Sequence, residues 1–137
     1  MTGSGTNFKP QIWDIVKARI YFDDMLAYKD RPVLVLDEVY NLYCSLKITS
    51  NIERKGLGEY NIKLWKAAGL NKPSNIRLSK FLVLEQKSII EKYGVLYPLD
   101  RKELIDQINK FIIVNEANYT KNFIKKVEKR IDENLPP

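Results

Sequence analysis

The strongest constraint on the fold comes from two neighbouring strand-like segments, residues 31–39 and 42–50. The first, RPVLVLDEV, is apolar through its centre, which is typical of a strand buried on both faces. The second, LYCSLKITS, alternates between apolar and polar residues, which indicates a strand buried on one face. Its predicted inward positions are Leu42, Cys44, Leu46 and Ile48. Because only a short polar turn near Tyr40 separates the two segments, we predict an antiparallel hairpin.

The open end of this hairpin carries a guanidinium and two hydroxyls. Facing residues of an antiparallel pair have a constant sum of residue numbers, so a turn centred on Tyr40 places Arg31 opposite Thr49. Directly opposed side chains share a face, with Cβ atoms roughly 4.5–5.5 Å apart. Lys47 lies on the same face one pleat back, and Ser50 follows Thr49 directly. We therefore predict that these side chains form one cluster.

Such a cluster is suited to a phosphodiester. Arginine presents a planar fork of donors that can hold two phosphate oxygens, and a threonine hydroxyl adds another donor. When a 2′-hydroxyl attacks the adjacent phosphorus, charge builds on the phosphoryl oxygens, where preorganised donors stabilise it. Arginine stays protonated, so a separate proton carrier is needed. The candidates are the three aspartates before Arg31, namely Asp23, Asp24 and Asp30.

These residues also permit a purely structural interpretation. An arginine at a strand end commonly faces solvent or pairs with a nearby carboxylate, here Asp14 or Asp30. Threonine and serine at a strand end commonly form turns. The hairpin alone leaves both interpretations open.

The remaining pattern describes several short strands followed by helical segments. We predict strands at 12–22, 59–62 and 74–86, and a brief helix in KLWKAAGL that ends at Gly69. Asp100 and Glu103 have the spacing of a capping box at the start of a helix, which predicts a helix from Asp100. A second amphipathic stretch carries Tyr119, Phe123, Val127 and Ile131. It could bind a partner, but we expect it to pack against that helix. The predicted fold class is α+β, mainly β: a small antiparallel barrel with C-terminal helices at one side.

The charge distribution favours an anionic partner such as nucleic acid. The chain has a formal net charge of +6 and a pI of about 9.3. Most of the excess precedes Asp100, where 15 basic and 10 acidic side chains lie. The candidates for binding an RNA backbone are therefore Lys29, Lys47, Arg54, Lys55 and Arg77. Tyr28 and Tyr43 are candidates for stacking on bases.

The residues that the chain lacks exclude several kinds of site. With no histidine, His-based acid–base catalysis, Ser-His-Asp triads and His-ligated zinc are excluded. With one cysteine, cysteine-cluster metal sites and internal disulfides are excluded as well, and a reducing cytoplasm fits best. We expect no cofactor and no membrane segment.

Five stretches of the chain together resemble the PemK/MazF family of toxins from toxin–antitoxin systems. The resemblance covers residues 12–113 and depends most on an Arg-Pro-apolar strand followed by a strand that ends in Thr-Ser. The matching stretches are WDIVKARIYF, KDRPVLVLD, LKITS, PSNIRLSKFLVLEQ and LDRKELIDQINKFI. The implied domain organisation is a flexible lead at 1–11, a barrel domain at 12–113 and a helical extension at 114–137.

The resemblance implies a fold, an activity and partners. The fold is a compact SH3-like β-barrel with helices, usually a homodimer. The activity is metal-independent, sequence-specific cleavage of single-stranded RNA to 2′,3′-cyclic phosphate and 5′-hydroxyl ends, normally blocked by a cognate antitoxin. The family's catalytic arginine corresponds to Arg31 and its catalytic threonine to Thr49, with Ser50 next in the motif.

Two other functions remain open on the same fold. One is a non-enzymatic inhibitor of DNA gyrase like the CcdB toxins, and the other is a barrel that only binds protein or nucleic acid. Arg31 together with Thr49 favours the enzyme. The loop FDDMLAYKD before Arg31 lacks the glycine and glutamine that many family members have, which favours a binding module.

Overall fold

The fold is one antiparallel sheet followed by a long helix. The computed structural model describes residues 8–21 and 27–133. Its elements are β1 (Asp14–Tyr21), β2 (Tyr28–Val39), β3 (Leu42–Thr49), β4 (Glu59–Asn61), β5 (Asn75–Glu85), a 3-10 turn (Gln86–Ser88), β6 (Ile89–Val95) and α1 (Pro98–Glu133). The strand order is β4-β5-β3-β2-β1-β6. Within the described residues β4 and β6 are the two edges and do not pair, so the sheet is an open form of the expected barrel. The mainly β fold class is confirmed.

The predicted hairpin is the centre of the sheet. Tyr40 and Asn41 connect β2 to β3, and both have positive φ, of 51° and 63°. This is the conformation of a two-residue turn that matches the twist of its strands. The pairs near the open end, such as Val33 with Lys47, follow the register predicted from a centre at Tyr40. A bulge between Val35 and Asp37 shifts the pairs nearest the turn by one residue.

Both faces of the sheet are covered by apolar side chains. One buried cluster includes Ile15, Leu34, Leu46 and Leu104, and the other includes Val16, Val33 and Tyr43. The inward assignment is right for Leu46 and Ile48 but wrong for Leu42 and Cys44. Leu42 is exposed and Cys44 half-buried, whereas Tyr43 and Ser45 are buried. The alternation failed because β3 has a core on each face. Tyr43 belongs to one of these cores, so it does not stack on a base.

The segment 63–72 is a series of turns, not the predicted helix. Its start is held by Asp100, whose carboxylate accepts hydrogen bonds from the backbone N–H of Lys63 and of Leu64, both at 2.9 Å. Its end rests on β6 at Gly69, which has φ of 97°. A Cβ on Gly69 would lie 2.1 Å from the carbonyl oxygen of Tyr93, so only glycine allows this approach.

The helix begins two residues before the predicted cap. Pro98 is the first residue of α1, a position that suits proline because its missing N–H is not needed there. Asp100 is fully buried and its carboxylate also accepts a hydrogen bond from the Tyr60 hydroxyl at 2.6 Å. Glu103 accepts a hydrogen bond from Lys63 and shares the single Tyr60 hydroxyl hydrogen with Asp100, instead of closing a capping box. The predicted capping box is therefore wrong, because these carboxylates bind the neighbouring segment.

The helix continues without a break to Glu133, 36 residues in all. The expectation that a second helix packs against the first is therefore wrong, since both stretches belong to α1. From Ile112 onward every side chain that the structure describes is exposed. The side chains of Tyr119, Phe123 and Ile131 lie outside the described part. No helix in the described residues has the length and apolar composition needed to cross a membrane.

Candidate active site

A basic pocket lies where the open end of the β2–β3 hairpin meets the 63–72 segment. Its volume is about 530 Å³. The lining residues are Arg31, Pro32, Lys47, Ile48, Thr49, Ser50, Asn51, Leu70, Asn71, Lys72, Ser74 and Arg77. Four of them carry a positive charge, and none of these lining residues is acidic. Of the site residues predicted from the sequence, this pocket brings together Arg31, Lys47, Thr49, Ser50 and Arg77.

The Thr49 hydroxyl has its hydrogen available for a ligand. Its oxygen accepts a hydrogen bond from the backbone N–H of Asn51 at 3.1 Å. This turn fixes the oxygen while the hydroxyl hydrogen remains free to be donated. Thr49 is half-buried and Ser50 is exposed. Both hydroxyl groups therefore suit the binding of an anion.

Arg31 stands exposed on β2. Within the described part of the chain its guanidinium makes no ion pair or hydrogen bond, so its donors can bind a ligand. Lys47 is half-buried across the hairpin, directly opposite Val33. Because Arg31 precedes Val33 by two residues and Thr49 follows Lys47 by two, all four residues share one face of the sheet.

Partly buried polar interactions of two side chains, Asn75 and Arg77, hold the walls of the pocket. The Asn75 amide, itself buried, donates to the backbone oxygen of Arg54 at 3.3 Å and accepts from the Asn61 amide at 2.9 Å. Arg77 forms an ion pair with Glu59 at 3.3 Å. These contacts fix the loop after Thr49 and the cation on β5 before a ligand arrives.

Asp30 is not part of the pocket. It lies next to Arg31 on β2, so its side chain points to the opposite face, where it pairs with Arg19. The Arg19 Nε lies 3.0 Å from Asp30 Oδ1, and Arg19 Nη2 lies 3.3 Å from Oδ2. The hydrogen bonds from Arg19 lower the pKa of Asp30. A carboxylate held ionised in this way is a weak base. The other two candidates, Asp23 and Asp24, lie outside the described residues.

The remaining predicted contacts also fall outside the pocket lining. Lys29 is exposed on the part of β2 beyond Arg31, and Arg54 is exposed in the loop that Asn75 holds. The structure adds residues that the sequence interpretation missed, above all Asn71 and Lys72. Both residues lie at the end of the 63–72 segment, just after a stretch where the sequence predicted a helix and the structure has turns. No local sequence pattern indicated that this segment folds back over the hairpin.

This chain matches known proteins in structure but not in sequence. No protein-family model matches the chain. No curated protein matches it by sequence.

Several solved structures share the fold. The Mycobacterium tuberculosis toxin MazF-mt6 is 22% identical, covers 71% of this chain and 93% of its own, and superposes with a TM-score of 0.57. The MazE–MazF structure from Deinococcus radiodurans is 15% identical, covers 77% and 97%, and has a TM-score of 0.63. A mycobacterial endoribonuclease in complex with its cognate antitoxin is 12% identical, covers 74% and 88%, and has a TM-score of 0.56. The chain therefore has the fold of the MazF toxins, as its resemblance to the PemK/MazF family implies.

Proposed function

We propose that this chain is a toxin-type endoribonuclease that cleaves single-stranded RNA in the cytoplasm without a metal. The products would carry a 2′,3′-cyclic phosphate and a 5′-hydroxyl. One observation carries the proposal: Arg31 and Thr49 line the same basic pocket, and both have donors free for a ligand. The fold shared with MazF toxins supports the same activity.

The reaction is a transfer of the phosphoryl group within the RNA. The 2′-oxygen forms a bond to phosphorus while the bond to the 5′-oxygen of the next nucleotide breaks. Arg31 donates to the non-bridging oxygens as charge builds on them, and the Thr49 hydroxyl donates to the same group. Lys47 adds a positive charge from the same face. Water accepts the proton of the 2′-hydroxyl and water supplies a proton to the departing 5′-oxygen, so the reaction consumes no proton overall.

The RNA backbone would extend from this point along the basic residues. Ser50 and Lys72 lie in the pocket, and Lys29 and Arg54 are exposed on the segments before Arg31 and after Thr49. We expect binding to weaken as salt increases, because each neutralised phosphate releases counterions.

Two protein partners belong to the proposal. A neighbour of the same fold was solved with its cognate antitoxin, and we propose that an antitoxin blocks the basic pocket of this chain. We also propose a homodimer, which the resemblance implies. Apolar side chains available for such an interface include Phe81 and Val83 of β5, both more than half exposed.

The test is cleavage of a long single-stranded RNA in EDTA by wild type, Arg31→Ala and Thr49→Val. We expect wild type to produce cyclic phosphate ends. Each variant should lose roughly 10²- to 10³-fold in rate, the effect of removing one preorganised donor. Lys110→Ala, which removes an exposed charge from α1, is the control and should cleave like wild type.

Other outcomes would redirect the proposal. Inhibition of DNA gyrase without RNA cleavage would favour the CcdB-like alternative. Absence of both activities in a folded protein would favour a barrel that only binds protein or nucleic acid. Equal cleavage by wild type and Arg31→Ala would remove Arg31 from the reaction.

A further inference from the structure

A second cavity adjoins the basic pocket on the β6 side of the 63–72 segment. Its volume is about 200 Å³. It is lined by Pro32, Gly69, Leu70, Asn71 and Tyr93. Pro32, Leu70 and Asn71 line the basic pocket as well, so the two spaces share a wall. A strand of nucleic acid bound in one space can therefore place a neighbouring group in the other.

The lining of this cavity differs from that of the basic pocket. It contains no charged residue, and its apolar surface comes from Pro32, Leu70 and the ring of Tyr93. Leu70 and Tyr93 also pack against the buried core, which fixes their positions. A tyrosine is neutral at physiological pH, and burial raises the pKa of the Tyr93 hydroxyl further from it. An uncharged, partly aromatic lining suits a flat ring system better than a phosphate.

Asn71 is the one polar amide in this lining. Within the part of the chain that the structure describes, its side chain has no hydrogen-bond partner. An asparagine amide offers both a donor and an acceptor, the combination that recognises the edge of a base. Because Asn71 lines both spaces, a group bound in either one would lie beside its amide.

The wall that carries Asn71 is held firmly. The backbone at Gly69 rests on that of Gly94, and Asp100 fixes the start of the same segment at Lys63 and Leu64. These contacts hold the backbone just before Asn71 against that of Tyr93 and Gly94. Recognition of one base over another depends on such a fixed geometry.

From this geometry we propose that the second cavity binds one nucleobase next to the phosphate that the basic pocket holds. The base stacks against Tyr93, and the Asn71 amide hydrogen-bonds to its edge. Single-strand binders use the same combination of an aromatic ring and a neighbouring basic groove. The inference rests on the proposed function and adds to it a determinant of base preference.

The experiment separates base recognition from cleavage. Binding is measured by fluorescence anisotropy with a pool of short RNAs in which 2′-O-methyl groups prevent cleavage, and base preference is obtained by sequencing the bound fraction. The variants are Asn71→Ala, Tyr93→Leu and Tyr93→Phe. Tyr97→Leu is the matched control, because Tyr97 is an exposed tyrosine outside both linings. Thermal melts identify any variant that fails to fold.

We expect Tyr93→Leu to weaken binding by roughly 5- to 150-fold, the range for loss of one stacked base. Tyr93→Phe keeps the ring and should bind like wild type. Asn71→Ala should lose preference at one position of the RNA and keep the preferences elsewhere. Unchanged preference in Asn71→Ala, together with unchanged affinity in Tyr93→Leu, would overturn the proposal.

The two proposals can fail separately. If wild type binds the 2′-O-methyl pool but cleaves no RNA, the nuclease proposal fails and the base site is still decided by the affinities. If wild type cleaves and binds but the variants match it, the base site fails alone. If wild type binds no single-stranded RNA, both fail.

Discussion

Gly69 and Gly94 lie in backbone contact, and neither has room for a side chain. A Cβ on Gly69 would lie 2.1 Å from the Tyr93 oxygen, and a Cβ on Gly94 would lie 2.1 Å from the Ala68 oxygen. This contact joins the 63–72 segment to β6. Because the segment forms a wall of both the basic pocket and the adjoining cavity, the contact positions the candidate site.

Alanine substitutions separate two constraints on these glycines: the strain of a positive φ and the clash of a Cβ with neighbouring backbone. Gly56 has φ of 108° but open space around it, so Gly56→Ala tests backbone strain alone. Gly94→Ala tests the clash alone, and Gly69→Ala combines the clash with φ of 97°. We expect Gly56→Ala to cost roughly 1–3 kcal/mol of unfolding free energy and Gly69→Ala to cost more. Urea denaturation measures all three, and equal stability of Gly56→Ala and Gly69→Ala would contradict the importance of the contact.

Asp100 provides a second prediction. Its buried carboxylate accepts three hydrogen bonds, from the Tyr60 hydroxyl and from two backbone N–H groups. Asp100→Asn keeps the size of the side chain, but its amide NH₂ would face at least one of these three donor groups. We therefore expect the free energy of unfolding to fall by about 2–3 kcal/mol. Asp106→Asn, on the exposed side of the same helix, is the control and should change stability by less than about 0.5 kcal/mol. A stable Asp100→Asn protein would show that these bonds contribute little.

The carboxylate of Glu103 predicts a dependence of stability on pH. Its pKa is lowered, first by the hydrogen bond from Lys63 and then by the one from Tyr60. The ionised form therefore stabilises the fold at pH above the ordinary glutamate value of 4.5, and this contribution is lost as pH falls through the lowered pKa. We expect Glu103→Gln to be less stable than wild type at pH 7 and to approach it in acid. Denaturation curves of both proteins from pH 7 into acid measure this. The same difference in stability between wild type and Glu103→Gln at every pH would contradict the prediction.

Asp30 can be tested as the proton carrier by substitution. Removing a group that transfers a proton typically costs about 10²- to 10⁴-fold in rate. Because Asp30 is paired with Arg19 on the other face of β2, we expect Asp30→Asn to retain cleavage within a few-fold of wild type. Arg19→Gln should give the same result, since it breaks the same ion pair. A loss of 10²-fold in Asp30→Asn alone would restore Asp30 to the reaction.

The outer half of α1 predicts a tolerant truncation. Its described side chains are exposed from Ile112 onward, whereas Leu104 is fully buried. We expect a protein ending at Val114 to keep the melting temperature of the full chain. Leu104→Ala should cost about 2–5 kcal/mol, as large-to-small changes in a core do. A large drop in melting temperature on truncation would contradict this prediction, because it would show that the outer half of α1 makes stabilising contacts.

The sequence predicted the centre of the fold better than its surroundings. The hairpin register could be predicted because both strands and their turn are contiguous, and the bulge near Leu36 falls beyond the pairs that place Arg31 and Thr49. Asn71 and Lys72 could not be predicted, since their place in the pocket depends on contacts with β6 and α1, far away in sequence. The role of Asp100 was misjudged for the same reason: its spacing to Glu103 fits a cap, but its partners lie near residue 63.

The two edge strands of the sheet, β4 and β6, limit how two copies could associate. β4 has only three residues, too few to template another chain, and β6 pairs with β1 through two register shifts that bend it. Short and irregular edge strands of this kind resist pairing with a strand of another chain. A second copy would therefore have to meet this one through side chains on a face of the sheet or on the helix, and a continuous sheet spanning both copies is disfavoured.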